Sequence, residues 1–396
     1  VSPAWLSALQ RTVILWTSLQ WLLLCQHLKK PQWADAIVRA TYQQYPQERL
    51  LLELLADLYL DTQQPDSAMA LYQYLVDSQK DLPAYDGTLY KKIAQALLHT
   101  GNSRQAAVQL EKAWLANDGD WEALKALGEL YTQQEAWMRA LYYYKEAVKR
   151  QPRQPELHSH MGFVLFKLGD VEGAIQEYHQ ALRYGEDPIW MSNVAQTLGT
   201  LALQAQQPAT EVVRYFQMAV ELNPANFEAL ALLGEQFLRM GDLEAALAAY
   251  WQYLQHDVQS ADAYCYIGYI LWQMDRNNEA IDAYLSALSH DPNHAVSYNN
   301  LGVIYLDEES SPAKALGMFQ TALSLQKDYT LACFNQGRAL EQLGRHTEAA
   351  KAYSQAMTLN TRRPDLNPDE ILERINRLFE TNRSSTSSTA SGNAGG

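Results

Sequence analysis

The chain has 396 residues, 47% hydrophobic and 19% charged, which excludes a disordered polymer and is enough for one or two ordinary cores or one long repeat array. Its net charge of -14 excludes the basic surface that nonspecific nucleic-acid binding needs. The three cysteines, Cys25, Cys265 and Cys333, lie far apart with no CxxC pair, which argues against a disulfide framework or a zinc site and leaves the redox compartment open.

The most apolar stretch comes first. "TVILWTSLQWLLLC" spans about 14 residues, interrupted by Thr17, Ser18 and Gln20 and short of the ~20 a membrane-spanning helix needs. Residues 1–48 read as a degenerate apolar hairpin: "WTSLQWLLLCQHL" as first helix, "PQW" as turn, "ADAIVRATYQQYP" as second helix. An anchor or signal remnant is the alternative; a lipoprotein signal would need a small residue where Leu24 precedes Cys25. The first residue is Val, which leaves a natural start, a processed end and a fragment all open.

From residue 49 a period appears. Small residues stand at Ala56, Ala94, Gly128, Gly162, Gly199, Gly234, Gly268, Gly302 and Gly337, 34 to 38 residues apart. Twelve residues on come Ala68, Ala106, Ala140, Ala174, Ala246, Ala280 and Ala349, with Ala315 one later. Within "DAYCYIGYILWQM" and "NEAIDAYLSALSH" apolar residues recur at three- and four-residue steps, predicting two helices around the short turn "DRNN". Each period is thus a helical hairpin. The expected close crossing sets the Gly of the first helix against the Ala of the second. Tyr59, Tyr72, Tyr131, Tyr178, Tyr250, Tyr284, Tyr305 and Tyr353 are expected to fill the space between hairpins. One hairpin cannot bury its apolar face alone, but a stack can.

"ALGELY", "HMGFVLF", "LLGEQF", "YIGYIL" and "NLGVIY", each followed by the Ala pair and in three units by Pro152, Pro224 or Pro292, resemble the tetratricopeptide repeat family. Residues 121–152 keep nearly every signature position: Trp121, Leu124, Gly128, Tyr131, Ala140, Tyr144, Ala147 and Pro152. The resemblance implies an all-α superhelix, an α-α solenoid of nine to ten hairpins. Nine units fall at 49–82, 87–120, 121–154, 155–188, 192–226, 227–260, 261–294, 295–329 and 330–363, with Leu75, Val212 and Tyr253 departing from the pattern. Residues 364–380, "NPDEILERINRLF" with Asn367 as cap and Pro368 in the first turn, read as a capping helix. Ile371, Leu372, Ile375, Leu378 and Phe379 are expected on its buried face, and Glu373, Arg374, Asn376 and Arg377 in water. Residues 381–396 lack large apolar side chains and read as a disordered tail.

No GxSxG, HExxH, P-loop or GxGxxG occurs, so the expectation is a non-enzymatic chain without cofactor or metal. His158 and His160 lie two apart on a helix and point differently, a poor metal pair. "HDPNH", ending at His294, reads as a turn between repeats. In the family the first helices line a concave groove, which implies groove positions one, four, eight and eleven residues after each unit start. These give Lys125 and Glu129, Phe163 and Phe166, Gln196, Glu235, Asp262, Cys265, Tyr269 and Trp272, Asn299, and Phe334 and Arg338. The middle of this face reads as acidic, with aromatic stretches at Phe163 and at Tyr269 and Trp272. Asn300 and Asn335, just before the Leu-Gly and Gln-Gly pairs, stand where arrays resembling this one hold a peptide backbone. Only these two units have Asn there; His160 and Tyr266 take the place elsewhere.

The expected function is a protein-interaction scaffold or assembly factor binding a protein or extended peptide, with no nucleic acid. The alternatives are a substrate-recognition portion of an enzyme such as a glycosyltransferase, with catalysis beyond residue 396 or on another chain, and self-assembly through the apolar N-terminal hairpin at a membrane complex. The capping helix and tail would stand against a catalytic domain after residue 396. A cytoplasmic location is expected, with exported or membrane-peripheral forms left open.

Overall fold

The computed structural model describes residues 3–45, 49–78, 87–362, 364 and 366–378. The predicted tail at 381–396 and Phe379 lie outside them. Among the described residues every regular element is a helix. Two compact units divide between Asp187 and Pro188. The first holds α1 (Pro3–Leu28), α2 (Pro31–Gln44), α3 (Arg49–Asp61), α4 (Pro65–Ser78), α5 (Gly87–His99), α6 (Ser103–Ala116), α7 (Trp121–Gln133), α8 (Trp137–Arg150), α9 (Pro155–Lys167) and α10 (Val171–Tyr184). The second holds α11 (Pro188–Gln204), α12 (Ala209–Leu222), α13 (Phe227–Met240), α14 (Leu243–His256), α15 (Ala261–Gln273), α16 (Asn277–His290), α17 (Ala295–Asp307), α18 (Pro312–Leu325), α19 (Thr330–Gln342), α20 (His346–Asn360) and α21 (368–378). The helix α1 is longer than "WTSLQWLLLCQHL", and α2 starts inside "PQW", with Pro31 at its first position, where a missing N–H costs nothing.

The hairpin turns share one device, a residue in the left-handed region just after the first helix. Gly241 serves after α13 at φ 77°, and Asp275 serves after α15 at φ 58°. Side-chain caps then start the next helices: Asp242 Oδ1 accepts from Ala245 N at 3.1 Å, and Asn226 Oδ1 from Ala229 N at 3.0 Å.

Inside the hairpins the Gly meets a ring rather than the expected Ala. A Cβ at Gly128 would stand 2.5 Å from the Tyr144 ring, at Gly234 2.6 Å from Tyr250 and at Gly268 2.8 Å from Tyr284. Tyr178, Tyr250, Tyr284 and Tyr353 thus fill the crossing of their own hairpins, and Tyr250 also reaches the next hairpin, where Tyr266 stacks on it, as the sequence led one to expect; the alanines, Ala140 and Ala280 among them, are buried too. Tyr59 does reach the preceding hairpin, donating to Asp35 at 3.1 Å. Ring and glycine are sixteen residues apart, or seventeen where a turn is lengthened (Gly199 with Phe216, Gly302 with Phe319).

Within each unit successive hairpins stack, and consecutive first helices also touch: α1 with α3 and α7 with α9 in one unit, α15 with α17 and α17 with α19 in the other. Among the described residues no consecutive second helices pack to that extent, so each of these stretches curves with its first helices inside. At the end of the second unit, α21 buries Ile371 and Leu378. Two of its residues lie opposite to expectation. Leu372 is exposed, and Arg374 turns in, its guanidinium 5.4 Å from the Phe334 ring centroid and 3.4 Å from Glu341. A cation with an aromatic face and a carboxylate together is better placed there than in water.

The ring–glycine contact is testable against the chain's own exception. Ala94 holds the glycine place in the second period and has Leu110 at the ring place, both buried. Gly302→Ala should lower stability by about 1–3 kcal/mol through overpacking against Phe319. Adding Phe319→Leu should recover part of that loss in urea unfolding; a double variant no better than the single one would remove the ring as the cause.

Candidate functional site

On the inner face of the second unit, residues one, four, five and eight places after the start of α15 share one side of that helix: Asp262, Cys265, Tyr266 and Tyr269. With His294, Val296 and Asn300 around α17, and Tyr329 and Leu331 at the start of α19, they line a cavity of about 350 Å³, within the usual range for a bound side chain or small ligand. His294, read from the sequence as turn chemistry, has two tasks. Its Nδ1 accepts from Ser297 N at 3.2 Å, capping α17, and this leaves the hydrogen on Nε2, which meets Asp262 Oδ1 at 3.0 Å. Burial pushes the Cys265 thiol up to about 11, so at neutral pH it is protonated and forms an apolar wall. Asn300 Nδ2 points at its sulfur, 3.9 Å away.

The expected sites divide by depth. Tyr269 and Asn300 line the cavity. Trp272 is half-buried beside it, its ring 6.1 Å from that of Tyr269. Asn299, Phe334 and Asn335 are not on the surface: they are 3%, 6% and 7% exposed. The cause is the close approach of α15, α17 and α19, which encloses the position four residues after each unit start; Cys265 is buried in the same place. Asn300 and Asn335, the asparagines expected to hold a peptide, are each bonded to Asn299. Asn335 Nδ2 donates to Asn299 Oδ1 at 3.0 Å, Asn299 Nδ2 to Asn300 Oδ1 at 3.1 Å, and Arg338 to Asn335 Oδ1 at 3.3 Å. Arg338 also pairs with Asp307 at 2.6 Å. The buried amides are thereby satisfied, and a polar relay runs from α19 to the cavity wall. Phe334 is covered by Tyr353, centroids 5.5 Å apart, and by Arg374.

Part of the expected acidic middle is paired within the protein. Glu122 pairs with Lys91 at 2.8 Å, Glu129 with Lys125 at 3.7 Å and with His160 at 3.6 Å, and Glu235 with Arg239 at 2.6 Å. Gln196 is half-buried, its carbonyl accepting from Thr200. Phe163, an exposed ring edge-on to Trp137 at 6.1 Å, shares the Lys167 ammonium with Phe166. In two repeats the residue five places in lies on the ring of the repeat before: His160 stacks on Tyr144 at 5.4 Å, and Tyr266 on Tyr250 at 4.8 Å.

His158 and His160 part ways as the spacing implied. The buried His158 ring has Glu177 at 2.7 Å on Nδ1 and the Pro152 carbonyl at 2.9 Å on Nε2, two acceptors that suit an imidazolium. Burial works against that charge, but the Glu177 hydrogen bond, the Pro152 carbonyl and the Glu177 charge outweigh it, and the His158 pKa lies above its ordinary value. His160 is lowered, first by burial and then, against the pull of Glu129, by Lys125. Among the described residues no group of three or more His, Cys, Asp or Glu could hold a metal ion.

Signals for the missed cavity residues exist in part. Val296 and Leu331 each follow a unit start by one residue, a place the groove rule includes. His294 and Tyr329 sit in turns, where helix periodicity says nothing.

Profiles described as tetratricopeptide repeat match residues 91–155, 261–294, 283–323 and 330–362. The chain belongs to the tetratricopeptide repeat family. The TPR repeat-containing protein YpiA of Bacillus subtilis is 23% identical over 255 residues, 63% of this chain and 58% of that protein. The BBSome complex member BBS4 of Bos taurus is 24% identical over 279 residues, 70% of this chain and 52% of that protein. The chain thus spans little more than half the length of these curated relatives. Among solved structures, the C-terminal part of a TPR repeat-containing protein from Cytophaga hutchinsonii is similar in fold, with TM-score 0.51 at 17% identity, over 62% of this chain and 98% of that one.

Two outcomes follow from this geometry. Asn335→Ala leaves the buried Asn299 oxygen unpaired and should cost about 1–3 kcal/mol. The double variant with Asn299→Ala should cost clearly less than the sum of the two single changes; strict additivity in unfolding titrations would show the amides act separately. For His158, the raised pKa means its stabilisation is complete below the ordinary value of 6.5 and is lost as pH rises through the higher folded value. Unfolding midpoints should fall over that rise in the native chain, and His158→Gln should flatten this part of the profile.

Proposed function

We propose that the chain is an interaction scaffold whose second unit holds an extended segment of a partner protein along its first helices. One apolar side chain of that segment enters the cavity between α15, α17 and α19, and a basic residue beside it faces Asp262. The cavity carries this reading. Its apolar wall of Val296, Leu331 and the neutral Cys265 thiol gives a desolvated seat, and the Tyr266 and Tyr269 rings add area at small entropic cost. Asn300 keeps amide hydrogen-bonding capacity beyond its two internal bonds, which suits a peptide group whatever its side chain. The relative BBS4 is described as a member of a complex, in keeping with a scaffold role.

Peptide display against the full chain tests this. Selected peptides should share an apolar residue next to Lys or Arg. Leu331→Glu, which puts a charge in the cavity, should weaken them at least ten-fold, and Asn300→Ala by about 0.5–1.5 kcal/mol. Peptides without a common pattern, or bound equally by Leu331→Glu, would move the binding site off this face.

A further inference from the structure

The groove leaves the apolar N-terminal hairpin unused. Along α1, Trp21, Leu24 and Leu28 follow at three- and four-residue steps, and along α2, Trp33 and Ile37 are one turn apart. All five are exposed, Trp33 by 55%, and Trp16, further back on α1, by 61%. The two rows meet where Trp21 Nε1 donates to the Trp33 carbonyl at 2.9 Å. The other side of α1 is already taken up: Leu22 and Cys25 are buried there, and Ser18 bonds Thr41 at 2.8 Å.

Charge on this hairpin opposes that of the chain. Residues 3–45 carry Arg11, Lys29, Lys30 and Arg39 against one acid, Asp35, in a protein of net charge -14. Arg39 is held by Asp35 at 2.9 Å. Lys29 and Lys30 are exposed in the turn that joins the two apolar rows, next to Leu28. No helix among the described residues is long and apolar enough to cross a membrane.

An apolar face too short to span, edged by indoles and by lysines with flexible stems, has the chemistry of the boundary between headgroups and acyl chains. We propose that the α1–α2 hairpin docks on an anionic lipid surface, with Leu24, Leu28, Trp33 and Ile37 at the acyl boundary and Lys29 and Lys30 on the headgroups. The acidic remainder of the chain would be repelled from the same surface, so one orientation is favoured. A second copy fits this face less well, because the same hairpin offers Lys29 and Lys30 a single acid, Asp35, which Arg39 already holds.

Co-sedimentation of the full chain with vesicles tests this. Vesicles of mixed phosphatidylglycerol and phosphatidylcholine should bind it at low salt; pure phosphatidylcholine and high salt should release it. Lys29→Gln with Lys30→Gln should lower partitioning about 25-fold, from about five-fold per lysine. Gln suits the turn, since Gln63 and Gln206 hold the same positive φ as Lys29. Trp33→Ser should weaken binding as well. Absence of binding to the anionic vesicles, or binding unchanged in the lysine variant, would overturn the proposal. So would a lipid-free dimer in sedimentation velocity that Trp33→Ser dissolves, which would assign the face to a second copy.

Discussion

In seven hairpins a ring on the second helix rests against the bare backbone of a glycine on the first. The ring then sets how closely the two helices approach, and in these seven a methyl added at the glycine would stand under 3 Å from it. The contact tolerates changes in loop length. In two hairpins the turn gains a residue, the aromatic moves one place along the sequence, and ring and glycine still meet. Where neighbouring hairpins close to this gauge first helices meet, as α15, α17 and α19 do, and Tyr266 comes to rest on the Tyr250 ring of the repeat before.

Much of this is written in the sequence, because packing requirements recur with the hairpin. Small residues at fixed intervals, apolar steps of three and four, and a proline or a capping side chain at several joints are direct consequences of helix crossing and helix ends. Periodicity could not tell which small or large residue touches the glycine, since Ala280 and Tyr284 recur equally faithfully and only the helix rotation decides between them. Depth was equally hidden. Asn299, Phe334 and Asn335 lie on the inner side of their helices, but how far they sink depends on the approach of the neighbouring first helix. Arg374 misleads in the same way: a charge on the polar arc of an isolated helix becomes the cover of Phe334 once that helix docks.

The seat proposed for a partner side chain offers little polar chemistry. His294 is committed to capping α17 and holding Asp262, Asn300 to its neighbouring amide and a thiol, and Cys265 to a protonated, apolar state. What remains open to a visitor is shape, two phenol rings and part of one amide. Affinity from such a seat comes from excluded water and aromatic area. The ion pairs elsewhere on the face, mostly exposed, contribute little to stability and set long-range charge more than contact.

The stacking of His160 on Tyr144 and of Tyr266 on Tyr250 has a consequence for how such a chain can be rewritten. At these two joints the inner face is shared with the preceding hairpin, so a surface there is offset from the unit of duplication. A hairpin copied or excised at its loops would arrive with its own ring and someone else's lid. Recombination between arrays that respects hairpin boundaries therefore reshuffles recognition at such junctions, and a graft that aims to carry one binding surface intact must begin its cut inside the second helix, ahead of the ring.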